Sequence, residues 1–527
     1  MIKKGEEVLV EILELNSEGK GVSKLDNGFV IFSSGTLPGD EALVKITKKK
    51  SSYAEAKLIQ LERKSFFRIK PECIYFGVCG GCKIQNLEYN EQIKFKTNVV
   101  KNAFQRIGGF KNLLVPDATK SDEIFYYRNK MEFSFSDDEW LTIPPNPPLQ
   151  GGNDKFNSFE KDQELIPRDP PLQGGNDKVS EDSQNSILQG GNDIEIENSE
   201  SPPYKVGQGG FALGLHVPRF HSKIITIEKC FLQSEISNAI LNFTREFFKS
   251  KNISVYSSNT QSGFLRFLII RQSKNTNDLM INLITYDYNP ELIKEYSEQL
   301  KNKFNYITTI INSVSQKKAQ VATGEEENIL LGNGFITEKL TTTTGKEIIF
   351  KISPRSFFQT NTLQAEKLFK VLVEFGEFKQ SDTVLDLYCG AGSISIFISD
   401  LVNKVFGVEL VDDAINDAMN NANLNNIGNV EFIRSDIKDY LENQNIISNY
   451  NKLILDPPRS GLHPKICEIL SGTNFEKIIY VSCNPHTQAR DLQIICGKEN
   501  YIIEKIQPVD MFPHTYHIEN VVSLIKK

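Results

Sequence analysis

Two sets of cysteines carry the side chains most able to do chemistry. Cys73, Cys79 and Cys82 fall within ten residues, in Cys73-Ile74-Tyr75-Phe76-Gly77-Val78-Cys79-Gly80-Gly81-Cys82. Three thiols this close, with glycines freeing the backbone between them, suit one soft metal centre. Zinc and iron–sulfur both satisfy the spacing. A fourth ligand is needed. Cys230 is the candidate, because Cys389, Cys467, Cys483 and Cys496 all fall in the C-terminal part of the chain. Cys483 poses a separate question. It lies in Val481-Ser482-Cys483-Asn484-Pro485, directly after the apolar run Lys477-Ile478-Ile479-Tyr480, which predicts a buried strand. Open α/β sheets hold their ligands at the carboxyl ends of such strands. A thiol there could be a nucleophile, although a free cysteine is more often a small core hydrophobe.

The elements around Cys483 favour a site. Thr383-Val384-Leu385-Asp386-Leu387-Tyr388-Cys389-Gly390-Ala391-Gly392-Ser393 predicts a strand, a glycine turn and a helix start. The dinucleotide pattern fails, since no third glycine follows at the required spacing. About twenty residues on, Val405-Phe406-Gly407-Val408-Glu409 ends a second strand in an acid placed to accept from a ribose diol. Further strands are predicted at 430–434 and 453–455, ending at Asp436 and Asp456, then at 478–481, 501–506 and 521–525. Their alternation with helices predicts a doubly wound α/β sheet.

A chain of 527 residues exceeds one core, and about three domains are expected. No run of about 18 apolar residues is present, and the first residues lack the apolar core of a signal peptide. A cytoplasmic monomer with no membrane partner is expected, with its thiols reduced, metal-bound or catalytic. The net charge of −7 argues against a nucleic-acid partner only until its distribution is seen. Residues 149–200 alone carry a net −8, so the remainder is close to neutral. That stretch repeats Pro-Pro-Leu-Gln-Gly-Gly-Asn-Asp-Lys at 147–155 and 170–178, and a disordered acidic insertion is expected over 144–203. Residues 45–70 are instead basic, with nine Lys and Arg against Glu55 and Glu62. They follow short strands with turns at Gly19-Lys20-Gly21-Val22 and Leu37-Pro38-Gly39-Asp40, the pattern of a five-stranded OB-like barrel. Lys48, Lys49, Lys50, Arg63, Lys64, Arg68 and Lys70 are candidate phosphate contacts. The expected division is 1–62 for the barrel, 63–350 for a central α+β domain interrupted by the insertion, and 351–527 for the α/β domain.

Several of these motifs resemble known families. The Gly-x-Gly-Val and Leu-Pro-Gly-Asp turns resemble the TRAM domain, an RNA-binding barrel. The turn at Tyr388–Ser393 with its acids resembles class I methyltransferases that use S-adenosylmethionine (SAM), which implies Tyr388, Glu409 and Asp436 around the cofactor. Asp456-Pro457-Pro458-Arg459, Ser482-Cys483-Asn484-Pro485, Asp510-Met511-Phe512-Pro513-His514-Thr515-Tyr516-His517-Ile518-Glu519 and the Cys-x5-Cys-Gly-Gly-Cys run together resemble the RNA uracil-5-methyltransferases.

The resemblance implies a [4Fe–4S] cluster on Cys73, Cys79, Cys82 and Cys230, and a structural staple is the role expected for it. It implies SAM contact by Gln359, in Phe357-Phe358-Gln359-Thr360-Asn361, and RNA near Tyr127-Arg128-Asn129-Lys130. Cys483 is then the nucleophile that adds to uracil C6, and Glu519 the base that removes the C5 proton. His514 or His517 is the alternative base. Asp456 is expected to hold the uracil edge or orient SAM. The expected RNA is 23S ribosomal RNA, with transfer RNA as the alternative. A non-catalytic iron–sulfur RNA-binding protein is the rival class. Methylation of an exocyclic amine is disfavoured by an acid at position 456.

Overall fold

The computed structural model describes residues 2–140, 210–218, 220–257, 259–443 and 447–527. The insertion expected at 144–203 lies outside the described residues. The first strands are β1 (Glu7–Glu11), β2 (Glu14–Leu15), β3 (Gly21–Lys24), β4 (Val30–Ser34), β5 (Glu41–Lys49) and β6 (Tyr53–Arg63). They pair in the order β1-β5-β6-β4-β3-β2. β1 and β2 stand at opposite edges yet are separated by only Ile12 and Leu13. One kinked strand therefore joins both edges, and the expected five-stranded barrel results. Gly21 allows the closure, since a Cβ there would lie 2.8 Å from the Ile12 side chain. Val10, Ile31, Val44, Ile46 and Ala54 fill the interior.

Arg68 departs from expectation. Its guanidinium is buried against Asp40, which also accepts from Leu37 N at 2.6 Å and Ser65 N at 2.8 Å. A fully buried carboxylate needs a counter-charge, so Arg68 braces a turn rather than offering itself to phosphate. Lys48 also has a partner, Glu55 at 3.8 Å.

Helix α1 (Tyr89–Arg106) follows. A mixed sheet then takes the order β13-β12-β11-β10-β7-β8-β9. Its strands are β7 (Lys130–Ser136), β8 (Ala212–Val217), β9 (Phe220–Thr226), β10 (Leu265–Gln272), β11 (Leu279–Thr285), β12 (Thr309–Val314) and β13 (Glu326–Leu331). Helices α2 (Glu235–Ser250) and α3 (Pro290–Lys303) cover one face through Phe248, Ile293 and Tyr296. β7 and β8 pair antiparallel although residues 137–211 separate them in sequence. A hairpin, β14 (Ile336–Thr341) and β15 (Glu347–Ile352), leads to α4 (Thr362–Gly376). Asn361 caps α4, accepting from Gln364 N.

The last sheet contains β16 (Thr383–Leu387), β17 (Lys404–Glu409), β18 (Val430–Arg434), β19 (Lys452–Leu455), β20 (Lys477–Ser482), β21 (Tyr501–Val509) and β22 (Glu519–Lys526). Its order is β18-β17-β16-β19-β20-β22-β21. The first five strands are parallel and wound with α5 (Ser393–Phe397), α6 (Asp412–Leu424), α7 (Ile437–Glu442), α8 (Pro464–Leu470) and α9 (Pro485–Ile495). β22 inserts antiparallel between β20 and β21, which simple alternation of strands and helices does not reveal. Apolar cores cover both faces. Among the described residues, no helix is long and apolar enough to cross a membrane.

Candidate active site

Cys483 follows β20 by one residue, as its flanking sequence predicts. The turn is held from two sides. Asn484 N donates to Ser482 Oγ at 3.1 Å, and Asn484 Nδ2 donates to Arg459 O at 3.1 Å, tying the cysteine turn to the Asp456–Arg459 loop. Asn484 also caps α9. β22 approaches in antiparallel register with Ser482 opposite Asn520, and so brings Glu519 to the level of Cys483. Gln488 locks that register from α9, donating to Tyr480 O at 2.8 Å and accepting from Asn520 Nδ2 at 2.7 Å.

One cavity of about 1230 Å³ receives Cys483, Glu519, Asp456, Gln359, Tyr388 and Glu409 together. It exceeds the usual volume of a single small-molecule pocket, leaving room for two reactants. Tyr388 leaves β16 with φ of 64°, a conformation a bulky residue seldom adopts outside sites that require it. Glu409 accepts from Gly390 N at 3.3 Å and from Leu410 N at 2.8 Å, which aims it beside the glycine turn. Gln359 is held through its backbone: Asn129 Nδ2 donates to Gln359 O at 2.9 Å, and Asn129 N to Thr360 O at 2.8 Å. The Tyr-Arg-Asn-Lys segment thus positions the cavity wall, and Arg128 lines it.

Burial governs the ionisation of the reactive groups. The Cys483 thiol is pushed up to about 12, mainly by burial and further by Glu519 and Asp456, with Arg459 opposing. Burial and the Asp456 charge raise Glu519 well above the usual carboxylate range, and Glu519 is only 5% exposed. Burial raises Asp456 to about 7. His517, also in the wall, falls to about 4 through burial and the nearby cations Arg459 and Lys96. Burial in this cavity thus favours the uncharged forms of the Cys483 thiol, the Glu519 carboxyl and the His517 imidazole.

Asp436 caps α7, accepting from Lys438 N and Asp439 N; it is not among the residues lining the cavity, but its charge acts on Tyr388, which is. An acid at a strand-to-helix turn serves as a cap as readily as a ligand. His514 is buried outside the cavity, stacked on Phe125 at 4.5 Å with its Nδ1 3.2 Å from Gln92 Nε2, so of the two histidines only His517 lines the site. Phe512, Thr515 and Arg459 also line it without having been assigned roles, although each lies within a quoted motif.

Cys73, Cys79, Cys82 and Cys230 converge on a second cavity of about 440 Å³, although Cys230 is far from the others in sequence. Gln85 binds both ends of the cysteine loop, accepting from Cys73 N at 2.9 Å and donating to Cys82 Sγ at 3.7 Å. Asn238 fixes Cys230, accepting from its N at 2.8 Å. Burial raises all four thiols, to about 11 for Cys73 and about 12 for Cys79. Among the described residues, no group of three or more His, Cys, Asp or Glu closes around a single ion. Four soft thiols lining one cavity are a donor set of the kind that holds zinc or an iron–sulfur cluster. Gly80, Gly81, Arg128 and Thr360 line both cavities, so the two sites share a wall.

Comparison with known proteins agrees with this geometry. Residues 2–59 match the TRAM domain, and residues 265–527 match the tRNA (Uracil-5-)-methyltransferase family. A Bacteroides thetaiotaomicron protein described as an uncharacterized RNA methyltransferase is 35% identical, over 96% of this chain and 99% of its own length. A protein of the same description from Chlorobaculum tepidum is 33% identical, over 98% of this chain and 96% of its own. The crystal structure of Pyrococcus abyssi tRNA (uracil-54, C5)-methyltransferase with S-adenosyl-L-homocysteine (SAH) superposes with a TM-score of 0.68 at 26% identity, covering 98% of this chain and all of that one. Identity at this level along nearly the full length of both chains establishes kinship across the barrel, the central sheet and the catalytic sheet alike. The chain belongs to the RNA uracil-5-methyltransferase family and is a SAM-dependent RNA methyltransferase with an N-terminal TRAM domain.

Proposed function

We propose that this enzyme methylates C5 of a uridine in RNA through a covalent adduct on Cys483. The observation that carries the reading is the meeting of Cys483, Glu519 and Asp456 in the cavity that also holds Gln359, Tyr388 and Glu409. Bound SAM supplies an electrophilic methyl group on a sulfonium sulfur. The Cys483 thiolate adds to uracil C6, and the ring electrons move onto C5 and O4. C5 then takes the methyl group, leaving SAH. Glu519 accepts the C5 proton. The electron pair of that C–H bond restores C5=C6, and the C6–S bond breaks to return the thiolate. Asp456 accepts from the uracil edge. Burial disfavours the ionised forms of both Cys483 and Glu519, and positive charge entering beside them favours those forms. The target base must leave any stack to enter.

Cys73, Cys79, Cys82 and Cys230 would hold a [4Fe–4S] cluster acting as a staple of the wall they share with the active site. The RNA we favour is 23S ribosomal RNA, because the motif resemblance links a TRAM barrel plus cluster to ribosomal enzymes. The full-length likeness to a tRNA (uracil-54, C5)-methyltransferase supports transfer RNA as the second reading. Mapping 5-methyluridine in both RNAs from a deletion strain tests the choice. Loss from 23S RNA alone supports the first, and loss from transfer RNA alone replaces it.

A further inference from the structure

The segment Asp510–His514, just before Glu519, is held by an unusual set of bonds. Each of its five consecutive carbonyls accepts a hydrogen bond from outside the segment. Gln364 Nε2 donates to Asp510 O at 2.8 Å, and Asn361 Nδ2 to Met511 O at 3.1 Å. Lys96 Nζ donates to Phe512 O at 2.9 Å, and Tyr127 OH to Pro513 O at 3.1 Å. Lys83 N and Ile84 N, immediately after Cys82, both donate to His514 O, at 2.8 and 3.1 Å. The donors come from α4 and its cap, from α1, from the segment before β7 and from the end of the cysteine loop.

Lys96 is singular among them. Its Nζ also reaches Asp510 Oδ1 at 2.5 Å, and both side chains are fully buried. Tyr89, on the same helix, donates to Asp510 Oδ2 at 2.9 Å. Burying two charges adds little net stability, because desolvation offsets attraction. What the pair supplies is geometry. One ammonium fixes both the side chain that opens the loop and a carbonyl two residues on. Phe512, Thr515, His517 and Glu519 then emerge into the cavity.

We propose that Lys96 is a positioning residue for methyl transfer, holding the Asp510–His514 segment so that Glu519 meets the C5 proton. It rests on the covalent reading above. The test compares wild type with Lys96→Met, the charge-balanced double variant Lys96→Met/Asp510→Asn, and Tyr127→Phe, which removes one loop bond without touching a charge. Three quantities are read: kcat for RNA methylation, the SAM dissociation constant, and the fraction of RNA held as covalent protein adduct on a denaturing gel.

The double variant should recover much of the thermal midpoint lost by Lys96→Met and bind SAM within about threefold of wild type. Its kcat should stay about a hundredfold low, as misplacement near 1 Å can produce. Adduct should accumulate, because proton removal is the slowed step. Recovery of kcat together with the midpoint would overturn the proposal and leave Lys96 a purely structural role. Tyr127→Phe should lower kcat several-fold with the same adduct signature. Wild-type kcat in Tyr127→Phe would overturn the loop account even if the double variant failed to fold. A wild-type enzyme that methylates without any adduct would refute the covalent reading instead, and kcat alone would then decide the role of Lys96.

Discussion

Cys483 and Glu519 stand one residue beyond the Ser482–Asn520 rung, on the two antiparallel segments that form it, and the Glu519 charge acts directly on the Cys483 thiol. A one-residue slip of β22 would send Glu519 to the other face of the sheet. The register lock by Gln488 and Asn520 therefore keeps Glu519 on the cavity side of the sheet. If Glu519 takes the C5 proton, its loss should stop the reaction after methyl transfer. Glu519→Gln should accumulate an RNA–protein adduct that already carries the methyl group, with kcat lowered by at least about a hundredfold. Mass spectrometry of the adduct checks this. Rapid adduct turnover in this variant would move the base to His517.

Asp456 raises the Cys483 thiol, so removing its charge should lower it. At pH 8, where Asp456 is ionised, Asp456→Asn should speed iodoacetamide alkylation of Cys483 by about three- to tenfold, because the rate follows the thiolate fraction. Peptide mapping measures the rate at that residue. An unchanged or slower rate would mean that Asp456 does not act on the thiol.

Glu519 also bears on stability. Its carboxyl is raised in the folded state, so between the ordinary carboxylate range and that raised value the folded protein keeps a proton the unfolded chain releases. Stability must then fall as pH rises through this window. Glu519→Gln removes the penalty. It should raise the melting midpoint of the catalytic sheet by about 2 °C or more at pH 8 and leave it unchanged at pH 4. Equal midpoints at pH 8 would contradict the buried, proton-holding carboxyl.

The four-cysteine cavity predicts about four irons and four sulfides per chain in anaerobically purified protein, with Cys230→Ser losing most of both. Metal and sulfide analysis decides it, and stoichiometric zinc without sulfide would replace the cluster with a single-ion site.

What the sequence revealed depended on how far apart the partners lie. Cys73, Cys79 and Cys82 announced themselves by spacing, and Cys483 and Glu409 by ending apolar strands that do become β20 and β17. Asp436 shows the limit of a local signature, because a strand-to-helix acid reads the same whether it binds a ligand, caps a helix or does both. Arg68 misled because its partner, Asp40, lies 28 residues away across the barrel. The Lys96–Asp510 pair, 414 residues apart, has no local signature at all. The antiparallel insertion of β22 was hidden for a related reason. Period-2 and period-3.6 patterns identify elements, whereas pairing order is set by contacts distant in the chain.

The nucleophilic role of Cys483 is tested most directly by tritium release from C5-labelled uridine RNA in the presence of SAM, comparing wild type with Cys483→Ala. The covalent route predicts release by wild type, none above background by Cys483→Ala, and SAM binding intact in both. Release that survives Cys483→Ala would contradict it.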